Sequence, residues 1–139
     1  MKQFALFLVV LFTLSGCKKD EIVTPDYTAT FVGTWRATNV TQNGQTINLV
    51  GNTDIAMYLK AKAIGTNKLS CMFSTVIQAA VTDSESFEID ISKSGDNYTF
   101  TQVGNTGGAS YFRYTTATGE LKLGGVDDKG TTFEMVLKK

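Results

Sequence analysis

Apolar and polar side chains alternate with a period of two through the second half of the chain. Phe87, Ile89 and Ile91 share one face of such a segment, and acidic side chains occupy the other face. The same alternation returns in residues 98–101 and 132–138. Because successive side chains of a strand point to opposite faces, these segments predict β-strands with one buried and one solvated face.

Turn-forming residues separate the alternating runs at intervals of about 10 to 15 residues, as in hairpins of a sandwich or barrel. These turn signals are Asn43-Gly44 and residues 65–67, 94–97, 104–108, 118–119 and 127–130. The sequence contains neither a strict repeat nor a regular alternation of strands with helices. Because open sheet edges invite aggregation and a barrel removes them, we expect an all-β fold, a small antiparallel up-and-down β-barrel.

Residues 54–64 fit two kinds of element. They are rich in Ala, Met, Leu and Lys, which are good helix formers. Yet Ile55, Met57 and Leu59 also alternate with other residues, as in a strand. The alternation favours a strand, with one short helix near residues 54–64 as the alternative.

Residues 1–17 have the parts of an export signal. Lys2 supplies a positive charge, and an apolar run of 11 residues, broken only by Thr13, extends from residue 4 to residue 14. This run is too short to span a bilayer as a helix, which needs about 20 apolar residues. Two small residues then precede Cys17. We therefore predict that residues 1–16 are a signal peptide.

The ending Leu14-Ser15-Gly16-Cys17 resembles the lipobox of bacterial lipoproteins. In those proteins the cysteine is acylated and becomes the first mature residue, so the resemblance implies a lipid anchor on Cys17. Residues 18–21, two lysines and two acidic residues, are similar to the start of surface lipoproteins of Bacteroidetes-type bacteria. This similarity implies attachment to the outer membrane, on its periplasmic or cell-surface side. We expect residues 17–26 to be a lipidated tether and residues 27–139 the folded domain.

The composition excludes several kinds of chemistry and partner. The chain has no histidine, which removes Ser-His-Asp and Cys-His catalysis and the common zinc sites. Removal of residues 1–16 leaves 12 basic and 13 acidic side chains, a net charge of −1, and Arg36 and Arg113 are the two arginines. Nucleic acid is therefore not an expected partner. We expect no metal and no cofactor.

The remaining thiol and carboxylates do not form a catalytic pattern. With Cys17 acylated, Cys71 has no partner for an intrachain disulfide, and its phase in the alternation predicts a small buried apolar residue. The one local group of carboxylates lies between residues 83 and 90, where Glu88 and Asp90 fall on the predicted outer face. A glycosidase needs an acid of raised pKa in a cleft. We therefore expect that the protein is not an enzyme.

The segment Phe31-Val32-Gly33-Thr34-Trp35 carries a second resemblance. Gly-x-Trp at the first strand resembles lipocalins and the lipocalin-like domains of bacterial lipoproteins, which are small calycin-like β-barrels. Residues 119–123 and 132–139 are similar to the final hairpin of the same bacterial group. The resemblance implies a barrel topology. Lipocalins pair this tryptophan with an arginine on the closing strand, where the present chain offers Lys138.

The lipocalin-like pattern predicts that the barrel binds a small apolar or amphipathic ligand in its interior or at its mouth. The candidate ligand-binding residues are Trp35, Tyr111, Arg113 and Phe133. Trp35 also fits a structural role, as a plug whose indole N–H binds a backbone carbonyl. Tyr111 and Arg113 fit an exposed cation–aromatic contact on a surface strand. The alternative function is a surface module with a filled core that interacts with a protein or a glycan.

The predicted anchor is tested by the substitution Cys17→Ala. We expect the variant to leave the membrane fraction and to lose labelling by a palmitate analogue, because each buried CH₂ of an acyl chain contributes about 0.8 kcal/mol to membrane binding. Fractionation and metabolic labelling of cells measure both effects. Cys71→Ala is the matched control and should keep label and location. Membrane retention of Cys17→Ala would contradict the lipoprotein interpretation.

Overall fold

The computed structural model describes residues 23–104, 110–126 and 129–139. Within them the chain forms one short helix, α1 (Thr28–Phe31), and nine strands. The strands are β1 (Gly33–Gln42), β2 (Gln45–Asn48), β3 (Ile55–Gly65), β4 (Lys68–Ile77), β5 (Ala80–Ser94), β6 (Asn97–Val103), β7 (Ser110–Thr115), β8 (Glu120–Val126) and β9 (Thr132–Lys138). The predicted all-β class is confirmed.

Eight of these strands form a nearly closed antiparallel barrel in the order β6-β5-β4-β3-β1-β9-β8-β7. Strand β9 returns to pair with β1, so the predicted up-and-down topology is confirmed. Strand β2 lies off this path and pairs with the last residues of β1, whose first residues pair with β3. Every core residue that the structure describes inside the barrel lies between residues 27 and 137.

The barrel closes between β6 and β7 through side chains, and we call this line the seam. Among the described residues no backbone hydrogen bond joins the two strands. Aromatic pairs cross the seam instead: the ring centroids of Tyr98 and Tyr114 are 5.7 Å apart, and those of Phe100 and Phe112 are 6.1 Å apart. The seam is therefore held by ring contacts where the other barrel strands are held by hydrogen-bonded ladders.

The end of the barrel that carries α1 is filled, and we call it the closed end. The ring of Phe31 contacts the rings of Tyr98, Phe100 and Tyr114, each at a centroid distance of 5.0 Å. The indole N–H of Trp35 donates to the carbonyl oxygen of Phe31 at 2.8 Å. A void of about 10 Å³ remains among the core side chains, which leaves room for one water at most.

A lysine covers Trp35 at the closed end. The Nζ atom of Lys139 lies 5.0 Å from the Trp35 ring centroid and donates to the carbonyl oxygen of Thr30 at 2.7 Å. Lys138, the cation that the sequence offers on the closing strand, forms a salt bridge of 3.1 Å with Glu120 instead. The two lysines differ because neighbouring side chains of an extended chain point in opposite directions.

Residues 55–65 form strand β3, as their alternation predicts, and the alternative helix near residues 54–64 does not occur. Leu59 and Ala61 are buried, whereas Lys60 and Lys62 between and after them are exposed. Antiparallel ladders to β1 and β4 supply the backbone hydrogen bonds. Hydrogen bonds to a strand on each side and burial of one face stabilise β3 by more than the helix propensity of Ala, Met and Lys favours a helix.

Most of the turn signals fall at hairpin turns. Asn43-Gly44 joins β1 to β2 with positive φ angles of 47° and 81°, and residues 65–67, 94–97 and 118–119 lie at later turns. Residues 105–108 and 127–128 of two predicted turns lie outside the described residues, as do the whole predicted signal peptide and Cys17. One turn lacks a sequence signal: Gln78 and Ala79, with φ of 49° and 66°, connect β4 to β5.

The segment before α1 is bound to the turn between β3 and β4. The Asp26 carboxylate accepts hydrogen bonds from the backbone N–H groups of Thr28 and Asn67, and these bonds lower the pKa of Asp26. The Asn67 side chain in turn accepts from the Tyr27 N–H and donates to the Pro25 carbonyl. The last two residues of the predicted tether, 25 and 26, thus contact the barrel at its closed end.

Gly124 on β8 gives a test of the barrel wall. A Cβ atom there would lie 2.7 Å from the ring of Tyr111 and 2.8 Å from the backbone oxygen of Phe133. We expect Gly124→Ala to lower the free energy of unfolding by about 1–3 kcal/mol, because a packed sheet surface resists added volume. Gly65→Ala is the control, since its nearest neighbour is 3.8 Å away. Equal urea midpoints for both variants would refute the close approach.

Candidate functional site

The barrel is open at the end opposite α1, and we call the cavity there the mouth. Its volume is about 150 Å³. It is lined by Phe73, Glu85, Phe87, Gln102, Phe112, Leu123, Phe133 and Met135. Six of these eight side chains are apolar, and four of the six are phenylalanines, so the mouth is an aromatic-rich surface that solvent reaches.

The strand register explains how the mouth is built. Phe73 on β4 and Glu85 on β5 are direct cross-strand partners. Phe87 lies two residues beyond Glu85, on the same face of β5, because side chains of a strand share a face at intervals of two. Its ring is 5.8 Å from the ring of Phe112 on β7. The inward alternation that packs the closed end therefore continues to the mouth, where the inward side chains surround a cavity.

The mouth is shallow. Its volume of about 150 Å³ is half of the roughly 300 Å³ at which ligand pockets usually begin. Below it the core is filled, with a residual void of about 10 Å³. The mouth can therefore take a group of side-chain size, whereas a whole fatty acid does not fit inside the barrel.

Glu85 is the charged side chain of the mouth. It is exposed, and none of the described residues gives it a hydrogen bond or a salt bridge. Asp83 lies two residues earlier on the same face of β5 and pairs with Thr75 of β4. No lysine or arginine is among the residues that line the mouth. The rim of the mouth therefore carries a negative charge that no side chain lining the mouth neutralises.

Glu85 was not among the candidate site residues, although the alternation contains a signal for it. Every second residue of β5 points inward, as Ile91, Ile89 and Phe87 do. The next position in this series towards the start of the strand is Glu85. A carboxylate in the inward phase of a strand is unusual, because burial of an unpaired charge is unfavourable. Glu88, by contrast, lies in the opposite phase on the outer face, as the sequence predicted.

The structure brings two of the four predicted ligand-binding residues together, because Tyr111 and Phe133 both line a concave surface of about 320 Å³ beside β8 and β9. Trp35 is 2% exposed at the closed end, and its N–H is bound to a backbone carbonyl, the geometry of the structural role. Phe133 lines the mouth. Tyr111 and Arg113 lie on the exposed face of β7, outside the barrel. The ligand-binding roles of these four residues remain predictions, and only Phe133 contributes to the mouth.

Tyr111 is engaged in a surface network. Its hydroxyl donates a hydrogen bond to the Glu134 carboxylate, which also forms a salt bridge of 3.4 Å with Lys122. The hydrogen bond raises the pKa of Tyr111 and lowers the pKa of Glu134. The network joins β7, β8 and β9 on their outer face, which is a structural use of Tyr111.

A second concave surface lies along the seam, and we call it the seam groove. Its volume is about 470 Å³. It is lined by Asp96, Asn97, Tyr98, Phe112, Arg113, Tyr114, Thr115 and Thr116. Arg113 has no hydrogen-bond or salt-bridge partner among the described residues. Aromatic rings beside polar side chains are a composition that suits a sugar or an extended peptide.

The remaining chemistry of the described residues is limited. Burial raises the pKa of the Cys71 thiol to about 12, which makes the reactive thiolate rare at neutral pH. No group of three or more acidic or thiol side chains within the described ranges is arranged to hold a metal ion. In that same part of the chain, no helix has the length and apolar character needed to cross a membrane.

No protein-family model matches this chain, and no curated protein sequence matches it either. What the protein does must therefore be inferred from its own surfaces. Among the solvent-open concave surfaces of the described residues, the mouth has four aromatic side chains and the seam groove has three, whereas the surface that Tyr111 and Phe133 share has two.

Proposed function

We propose that this chain is a membrane-anchored bacterial lipoprotein that binds an apolar or amphipathic ligand at the mouth of its barrel. The observation that carries the proposal is a mouth lined by four phenylalanines, a leucine and a methionine above a filled closed end. Covering a concave apolar surface that solvent reaches is favourable, because it removes apolar area from water. A bound ligand supplies that cover.

The size of the mouth limits how the ligand binds. A group that fits 150 Å³ buries on the order of 100 Å² of apolar surface, which contributes about 2.5 kcal/mol. That free energy alone corresponds to millimolar affinity or weaker. The mouth therefore holds one end of a larger molecule, and further contacts at the rim supply the remaining affinity.

The proposed anchor leaves the mouth accessible. The chain joins the barrel at its closed end, where Asn67 binds residues 25–27. A tether from Cys17 to Tyr27 extends at most about 35 Å. A lipid on Cys17 would therefore keep the closed end within about 35 Å of the membrane, and the mouth lies at the end of the barrel opposite this attachment. This arrangement suits a ligand that reaches the protein from the aqueous phase.

Substitution in the mouth tests the proposal. We expect Phe133→Ala to weaken binding of 1-hexanol about tenfold, because one wall of the mouth is lost. Chemical-shift titration of the Met135 methyl group measures the affinity at the mouth. Ile64→Ala removes an exposed apolar side chain outside the mouth and is the matched control. Hexanol that leaves the Met135 signal unmoved would count against a binding mouth.

The seam groove supports a second candidate function, an interaction module for a protein or a glycan. The specific observation is that Arg113, which has no hydrogen bond or salt bridge to a described residue, lines a groove of about 470 Å³ together with two tyrosines. A guanidinium presents several donors in a fixed geometry, and tyrosine faces pack well against sugar rings. Glycans of the cell envelope are the partners that this surface fits best.

Arg113→Ala tests the second candidate. We expect it to lower binding of envelope oligosaccharides on a glycan array by about tenfold, because the unpaired donors are lost. Arg36→Ala is the matched control, since Arg36 lies on β1, where it contacts Tyr58. Equal binding by the two variants, or none by the unmodified protein, would remove the glycan function.

A further inference from the structure

We propose that the mouth is selective for a cation: it takes an alkylammonium group, with Glu85 as the charge partner and phenylalanine rings around the alkyl stem. The inference rests on the proposed function, because it names the class of ligand for the same mouth. It depends on three observations, which are the register of Glu85 with Phe73, the absence of a partner for Glu85, and the size of the mouth.

The register places a carboxylate beside an aromatic ring. Phe73 and Glu85 are opposite each other across β4 and β5. Directly opposed side chains of an antiparallel pair have Cβ atoms about 5 Å apart. A cation bound to the Glu85 carboxylate therefore lies next to the Phe73 ring, with Phe87 two residues further along the same face. Aromatic faces attract cations, most strongly where water is partly excluded.

Among the described residues Glu85, like Asp83 and Glu88, has no salt bridge, and of these three it alone lines the mouth. Asp90 forms a salt bridge of 2.8 Å with Lys68, and Glu120 forms one with Lys138. No described residue pairs with Glu85, and the mouth contains no lysine or arginine. An anionic ligand would be repelled there. A neutral ligand would take Glu85 out of water without a partner. A cation satisfies the carboxylate.

The size of the mouth suits an alkylammonium group. A volume of about 150 Å³ is about five times the roughly 30 Å³ that one water molecule occupies in the liquid. An ammonium head with a short alkyl stem has this size. Leu123, Phe133 and Met135 lie on the wall formed by β8 and β9, where the stem would pack. Two sources present this chemistry, the head of a cationic amphiphile and the side chain of a protein lysine.

Three probes of equal chain length test the inference: hexylammonium, 1-hexanol and hexanoate. The protein is residues 17–139 with Cys17→Ser, which keeps every core residue and carries no lipid. We expect hexylammonium to bind at least tenfold more tightly than 1-hexanol, and hexanoate to bind most weakly. Shifts of the Phe87 ring and the Met135 methyl signals report binding at the mouth.

Glu85→Gln should reduce the preference for hexylammonium over 1-hexanol to about threefold or less, because the amide keeps the shape and loses the charge. Glu88→Gln is the matched control: Glu88 lies on the outer face of the same strand, and its variant should keep the preference. Because Glu85 is exposed, we expect Glu85→Gln to leave the urea midpoint unchanged. That result shows that the barrel of the variant still folds.

The outcomes separate the inference from the proposed function. Equal affinities for hexylammonium and 1-hexanol, or an unchanged preference in Glu85→Gln, overturn the inference and leave an apolar mouth. Failure of all three probes to bind overturns both. Nα-acetyl-lysine amide and dodecylammonium then distinguish the sources: tighter binding of the first supports a protein side chain, and tighter binding of the second supports a lipid-like amine.

Discussion

The contacts of Phe31 hold the barrel closed. Its ring packs against Tyr98 and Phe100 of β6 and against Tyr114 of β7, the two strands that no backbone ladder joins in the described structure. Its carbonyl oxygen accepts the Trp35 N–H and so fixes α1 to the start of β1. One residue therefore bridges both edges of the sheet and caps the barrel. Each aromatic pair contributes about 0.5–1.5 kcal/mol beyond burial, so this group can stabilise the seam without hydrogen bonds.

The filled closed end determines where a charged side chain can lie on the inner surface. A carboxylate among Trp35, Leu59 and Leu137 would be desolvated without a partner, at a cost of several kcal/mol. At the mouth Glu85 stays exposed, so its charge is tolerated. Solvent is excluded from the inner surface at the closed end and reaches it at the mouth, so the rings of the mouth are only partly buried. The inner surface of the barrel thus becomes more polar with increasing distance from α1.

Much of the fold follows from local pattern, and the exceptions have physical causes. Alternation in β5 and the Asn43-Gly44 turn predict strands and a hairpin because backbone geometry alone imposes them. The turn at Gln78 and Ala79 has no such signal, because neither residue favours a positive φ. That conformation costs roughly 1–2 kcal/mol per residue. It is maintained by the long ladder between β4 and β5, which forms only when distant residues of both strands are paired.

The candidate site was harder to predict because it depends on which end of the barrel is open. The alternation places Glu85 and Phe133 on the inner surface. Whether they meet water depends on α1, four residues whose helical conformation is held by Asp26 and Trp35 rather than by a helical pattern. Helix α1 caps one end, and the cavity that solvent reaches lies at the other. The side that carries the proposed anchor is then the side that is filled, and ligand recognition is left to the residues furthest from it.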